Sequence, residues 1–237
     1  MLRIYLMQHW FNLSDPGVEE ALYDSASLRQ FAQINLGREP VPDEATVLKF
    51  RHLLEQHNLG DQLFHHVNVY LAENGMKVNR GTIVDATIIS APSSKKNKRK
   101  ERDPDMHQMR KGNQWYFGMK GHIGVDSQTK LIHSAMISSA NMHDSQALGN
   151  LLHGKETRVW GDSAYSGQKV AIKEAAPNAQ DFTKKKGARN RPLSDENKAK
   201  NTTKSKVRAK VEHPFAIIKR RFGFNKVRYK GIHKNAH

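Results

Sequence analysis

Arg208, Glu212 and Lys219 stand four and seven residues apart in SKVRAKVEHPFAIIKRRFGF. An α-helix advances ~100° per residue, so these offsets gather the three side chains within roughly 40° on one face. A carboxylate bracketed by two cations suits a centre that holds a divalent metal and a phosphate together. The carboxylate ligates the metal, while the guanidinium and ammonium take phosphodiester oxygens. Two aspartates upstream fit the same chemistry. Asp85 interrupts the apolar run GTIVDATII, and Asp162 follows Val159 and Trp160 in RVWGDSAYSG. A charge inside a buried strand is costly unless it is paired or metal-bound. Asp85, Asp162 and Glu212, on a strand, at a strand end and on a helix, form the donor set of a two-metal phosphoryl-transfer centre, acting as catalytic residues and metal ligands at once.

The elements that must position these groups follow from periodicity. In TIVDATII the odd positions Ile83, Asp85, Thr87 and Ile89 share one face of a first core strand, and Val84 and Ile88 fill the other. WYFGMKGHIGVD predicts a second strand, with Trp115, Phe117, Met119, Ile123 and Val125 on one face and Tyr116, Lys120, His122 and Asp126 on the other. Lys120 and His122 read either as phosphate contacts or as solvated residues of an edge strand. Asp126, Ser127 and Gln128 read as a turn into LIHSAMIS, which completes a three-stranded antiparallel meander, so Asp126 stays outside the triad. In ANMHDSQALGNLL, Asn141 or His143 precedes a helix with Leu148, Leu151 and Leu152 facing the core and Asp144 at its positive end. Gly167 marks a turn before another helix. Pro214 either kinks the helix bearing Glu212 or sits in its first turn, and the second case weakens the one-face argument for Arg208.

Residues 1–76 read as helical. Ser14, Asp15 and Pro16 make a start signal before VEEALYDSASLRQFAQI, and Pro42 and Asp43 make a second. An apolar pattern then runs from Val47 to Leu71, broken at Gly60. The helices on either side of that break read as a DNA-reading helix-turn-helix or as a bundle that only packs on the core. His52, His57, His65 and His66, scattered over amphipathic helices, read as surface residues rather than as a metal cluster.

Thirty-nine Lys and Arg against 23 Asp and Glu leave a net charge of +16, a field that concentrates polyanions. The charge is clustered. Lys95, Lys96, Lys98, Arg99 and Lys100 crowd the segment after the first core strand and read as a solvated loop on the DNA backbone, or as a merely solubilising one. A second basic stretch, residues 181–206, includes Arg189 and reads as a loop before the Glu212 helix. No apolar run approaches the ~18 residues of a membrane span. The chain has no cysteine, hence no disulfide.

VDATII around Asp85, YFGMKGHIGVD, ANMHDS, GDSAY around Asp162 and RAKVEHPFAIIKRRFG around Glu212, in this order, resemble the DDE transposases of bacterial insertion sequences, and within them the insertion-sequence-5 group. The likeness spans essentially the whole chain. It departs from the family pattern at Ser205, where relatives often carry tyrosine three residues before the arginine. It also implies a chain shortened at both ends relative to full-length relatives. The resemblance implies an α/β fold: a ribonuclease-H-like mixed sheet flanked by helices over residues 77–237, preceded by a small all-helical region over 1–76 with a role at DNA ends. It further implies two Mg²⁺ ions, replaceable by Mn²⁺, with cleavage and strand transfer at the ends of a mobile element. One ion would activate water and later the freed 3′ hydroxyl, and the other would stabilise the leaving oxygen. The partners are double-stranded DNA, as inverted-repeat ends and target, and further copies of the chain. The setting is the bacterial cytoplasm, at the nucleoid. Asn141, His143 and Asp144 match the pattern as residues that orient the site. A metal-dependent nuclease without the joining step, and an inactive remnant that only binds DNA, are the alternatives.

Overall fold

The computed structural model describes residues 1–76, 80–188 and 191–237. Arg189 and the expected boundary at residue 77 lie outside them. The chain opens with five helices: α1 (Leu2–Phe11), α2 (Asp15–Asp24), α3 (Ala26–Ala32), α4 (Glu44–Gln56) and α5 (Leu59–Glu73). Both start signals are realised. Ser14 Oγ accepts the Gly17 N–H at 3.1 Å and Asp43 Oδ1 accepts the Thr46 N–H at 2.7 Å. The helical stretch VEEALYDSASLRQFAQI is divided at Ser25, which is extended and caps α3 by accepting the Leu28 N–H at 3.3 Å. Serine competes for backbone donors, so it favours a cap over a helix interior. Ile4, Met7, Val18, Leu22, Val41 and Val47 form the apolar centre of these helices. His52, His57, His65 and His66 are all exposed, as expected of surface residues.

Among the described residues of the remainder lies a six-stranded mixed sheet: β1 (Gly81–Ser90), β2 (His107–Lys111), β3 (Gln114–Asp126), β4 (Ile132–Ser139), β5 (Arg158–Trp160) and β6 (Gln180–Asp181). β3 runs antiparallel to both β1 and β4, and β1, β5 and β6 are mutually parallel. This α/β arrangement, with helices flanking the sheet and a helical region before it, is consistent with a ribonuclease-H-like fold. The predicted meander is present, and Asp126 makes its turn by accepting the backbone N–H groups of Gln128 and Thr129. β2 went unread because HQMRK is polar and mostly exposed and carries no alternation. It pairs with the first half of β3. The edge-strand reading of β3 is overturned, since β1 and β4 flank it and its residues from Gly118 onward are buried.

Each face of the sheet has its own cover. On one, Val84 and Val159 pack against Leu148 and Leu151 of a 3₁₀ helix (Asp144–Leu151), Tyr165, and Ile172 of α6 (Lys169–Ala175). Gly124 permits this close approach, because a Cβ there would lie 2.4 Å from the Leu151 carbonyl oxygen. On the other, Ile83, Ile123 and Val125 meet Val211 and Phe215. Those two come from a helical path that begins with α7 (Asp195–Arg208), tightens to a 3₁₀ turn (Ala209–Val211), resumes as α8 (Glu212–Ala216) and widens to a π turn (Ile217–Arg221). The loop expected over residues 181–206 is therefore corrected. Ser194 caps α7, Asp195 and Glu196 occupy its positive end, Lys206 and Arg208 its negative end, and Glu196 pairs with Lys200 one turn on. Pro214 cannot donate to the carbonyl four residues back, and the 3₁₀ turn before it absorbs that loss without leaving the helical region.

Candidate active site

β5 stops at Trp160, and its pairing to β1 ends opposite Ile83. Beyond that point β1 has an edge clear of β5, and a cleft of about 510 Å³ opens there. Asp85 lies on β1 two residues past Ile83. Asp162 follows β5 and caps a short 3₁₀ turn (Ser163–Tyr165) by accepting the Ala164 N–H at 2.8 Å. Glu212 opens α8, held over the sheet by its neighbours Val211 and Phe215. All three carboxylates line the cleft, together with Arg208, Lys219, Lys120 and Asp144.

The electrostatics are uneven. Asp85 is only 6% exposed, and burial raises its pKa from 3.8 to about 6, against the opposing pull of Arg208 and of the Ala86 N–H that bonds its Oδ1. Arg208 Nη2 is hydrogen-bonded to Asp85 Oδ2 and stands 3.6 Å from Glu212 Oε1. The one-face geometry of Arg208 and Glu212 thus survives Pro214. Glu212 itself is exposed. Lys219 is half-buried, and burial followed by the nearby Lys111 lowers its pKa. A cleft lined by these carboxylates and by Lys111, Lys219 and Arg220 can take a divalent metal and the phosphates of a polyanion.

Two family models match the chain: one described as Transposase DDE domain, over residues 77–237, and one described as Transposase domain (DUF772), over residues 1–53. The chain belongs to the DDE transposase family. Membership implies an enzyme of the transposase and nuclease type and DNA as its partner. Among the described residues no helix is long and apolar enough to cross a membrane.

Placed in this DDE fold, the other sequence candidates divide. Lys120 is buried and reaches the cleft from the far face, donating to the Met142 carbonyl at 2.7 Å and pairing with Asp144 at 2.8 Å. It is a buried ion-pair partner on the cleft wall, not a solvated side chain. His122 is corrected outright. It is fully buried, Nε2 lies 2.7 Å from Ser138 Oγ, and burial lowers its pKa to about 4, so it offers phosphate neither surface nor charge. His143 caps the 3₁₀ helix of which Asp144 is the first residue, and Asn141 is exposed and accepts from Ser139 Oγ at 2.6 Å. Lys95, Lys96, Lys98, Arg99 and Lys100 are exposed on the loop after β1, away from the cleft lining. Sequence reasoning missed Tyr165, which is fully buried and whose hydroxyl has no partner among the described residues. Burial, then Asp144, Asp85 and Asp162, raise its pKa, keeping the phenol protonated beside the carboxylates. Its place in GDSAY, three residues after Asp162, was the signal that could have found it.

Proposed function

We propose that this chain is an insertion-sequence-5-type DNA transposase that cleaves the ends of its element and joins them to target DNA. The observation that carries the reading is the meeting of Asp85, Asp162 and Glu212 in one cleft from three separate elements. These carboxylates fit a divalent metal. Asp85 is buried against Arg208 with a raised pKa, so it gains from a closer positive charge. Asp85, Asp162 and Glu212 would hold the ions, Mg²⁺ or Mn²⁺, which supply a Lewis acid at the phosphodiester and an ionised nucleophile when bound.

The remaining roles belong to the chain. Arg208 and Lys219 neutralise phosphate charge on the helical face that carries Glu212. The Lys120–Asp144 pair supports the wall behind Asp85, with Asn141 and His143 shaping the segment that delivers Asp144. The exposed Lys95–Lys100 loop guides the DNA backbone, and residues 1–76 act at the element ends. Copies of the chain assemble on DNA so that two ends are processed together.

The test uses duplexes carrying the element's terminal repeats. Mg²⁺-dependent nicking at the repeat boundary, followed by joined products, is the expected result. Nicking without joining would leave a nuclease, and binding without nicking would leave a DNA-binding remnant.

A further inference from the structure

Outside the cleft lining, His133, His153 and Glu156 present ligand atoms that all lie within 4.8 Å of one another. His133 comes from β4, and the other two from the connection into β5. Glu156 is 0% exposed. Its Oε1 accepts the Thr82 hydroxyl at 3.1 Å and the His153 backbone N–H at 2.7 Å, and lies 3.4 Å from His153 Nε2. Its Oε2 is buried with no hydrogen-bond partner among the described residues. A carboxylate enclosed with one oxygen unsatisfied is costly, and a cation placed between it and two imidazoles removes that cost.

We propose that His133, His153 and Glu156 form a second metal site, for a structural zinc ion. Two imidazoles and one carboxylate are a borderline donor set that favours Zn²⁺, whereas Mg²⁺ prefers oxygen donors alone. Zinc at ~2.0–2.1 Å from each donor sets tetrahedral ligands ~3.3 Å apart, so the present spread needs a contraction on the order of 1 Å. Thr82 Oγ1, 3.0 Å from His133 Nε2 and on β1, is placed to approach the fourth position. Loading requires both Nε2 atoms unprotonated. On His133 the proton moves to Nδ1, where Ser134 Oγ at 2.9 Å accepts it. On His153 the proton likewise moves to Nδ1, and the 3.2 Å bond from the Lys155 N–H is given up. Each imidazole keeps one proton through this change, and the ion brings β4 and the start of β5 together around Glu156.

The test is zinc and cobalt titration of chelator-treated full-length protein in excess Mg²⁺, which keeps the carboxylate cleft filled. One equivalent of Zn²⁺ should bind and raise the unfolding temperature, and Co²⁺ should give the strong visible absorption of a four-coordinate site. His153→Gln should weaken zinc by ~100-fold or more and erase that absorption, while Asp162→Asn should leave both in place. If the variant does not fold, X-ray absorption at the zinc edge of the wild-type protein decides: imidazole scattering supports the site and an all-oxygen shell overturns it. Failure to bind zinc in Mg²⁺, or equal binding by the folded His153→Gln protein, would also overturn it.

Discussion

Arg208 and Asp85, 123 residues apart in sequence, are joined by an ion pair in which the carboxylate is almost wholly enclosed and the guanidinium one-quarter exposed. The cation thus sits on the group proposed as a metal ligand. Removing one partner of such a pair leaves the other buried and uncompensated. Arg208→Gln should therefore destabilise the metal-free protein by an amount at the lower end of ~3–5 kcal/mol, because Arg208 keeps some solvent contact. Urea unfolding measures it. A loss no larger than that of an exposed Lys→Gln change would show that the pair contributes little.

Asp85 should also leave a pH signature. Its pKa is raised from 3.8 to about 6, so the native state binds this proton more tightly than the unfolded chain does. Its favourable contribution is fully present below about 3.8 and is lost as pH rises through about 6. The swing is on the order of 2–3 kcal/mol. In the absence of metal, Asp85→Asn should therefore gain on wild type between pH 4 and pH 7. A stability difference that stays flat over this range would contradict the shift.

The two faces of the sheet should answer differently to equal insults. Phe215→Ala and Leu148→Ala each empty a buried site and should cost ~2–5 kcal/mol. Phe215 lies three residues from Glu212 and helps anchor its helix on the sheet, whereas Leu148 belongs to the opposite cluster. Cleavage per folded molecule should fall much further in Phe215→Ala. Equal losses would mean that Glu212 does not depend on this anchoring.

If the Lys95–Lys100 loop tracks DNA, neutralising its five cations should flatten the dependence of log K on log salt by up to ~4–5, at ~0.9 per phosphate contact. Binding isotherms at several salt concentrations measure the slope. An unchanged slope would return these residues to solubility alone.

Much of this arrangement was legible in the chain because local and tertiary demands agreed. The alternation of TIVDATII and the apolar lead into Asp162 set strand and strand end, and Ser14 and Asp43 announced their helices by capping chemistry. The failures came where a residue's surroundings are built by distant chain. Nothing in WYFGMKGHIGVD says that β4 and β1 will enclose His122, so its polarity reads as exposure. The composition of Asp195–Arg208, rich in Lys, Asn and Thr, resembles a loop, and its helix rests on a cap, complementary end charges and an ion pair that no apolar stripe advertises. Arg208 could be placed beside Glu212 by helical spacing, but its pairing with Asp85 depends on how α7 lies across the sheet.

Asp162 separates chemistry from architecture most cleanly, because it has two duties. Its Oδ1 caps the turn at Ser163–Tyr165, and its charge faces the cleft. Asparagine retains a side-chain carbonyl that can accept the Ala164 N–H, and Asn ranks with Asp as a cap, so Asp162→Asn should change stability by no more than ~1 kcal/mol. It removes the negative charge that a hard divalent cation requires, so Mg²⁺ binding should weaken and cleavage should collapse. DNA affinity should hold or rise, since the cations remain and one negative charge beside the phosphates is gone. Unfolding, metal titration, gel-shift and cleavage assays on one element-end duplex measure all four quantities. Retained Mg²⁺-dependent cleavage would remove Asp162 from the metal site, and a joint loss of folding and binding would leave it only the role of a cap.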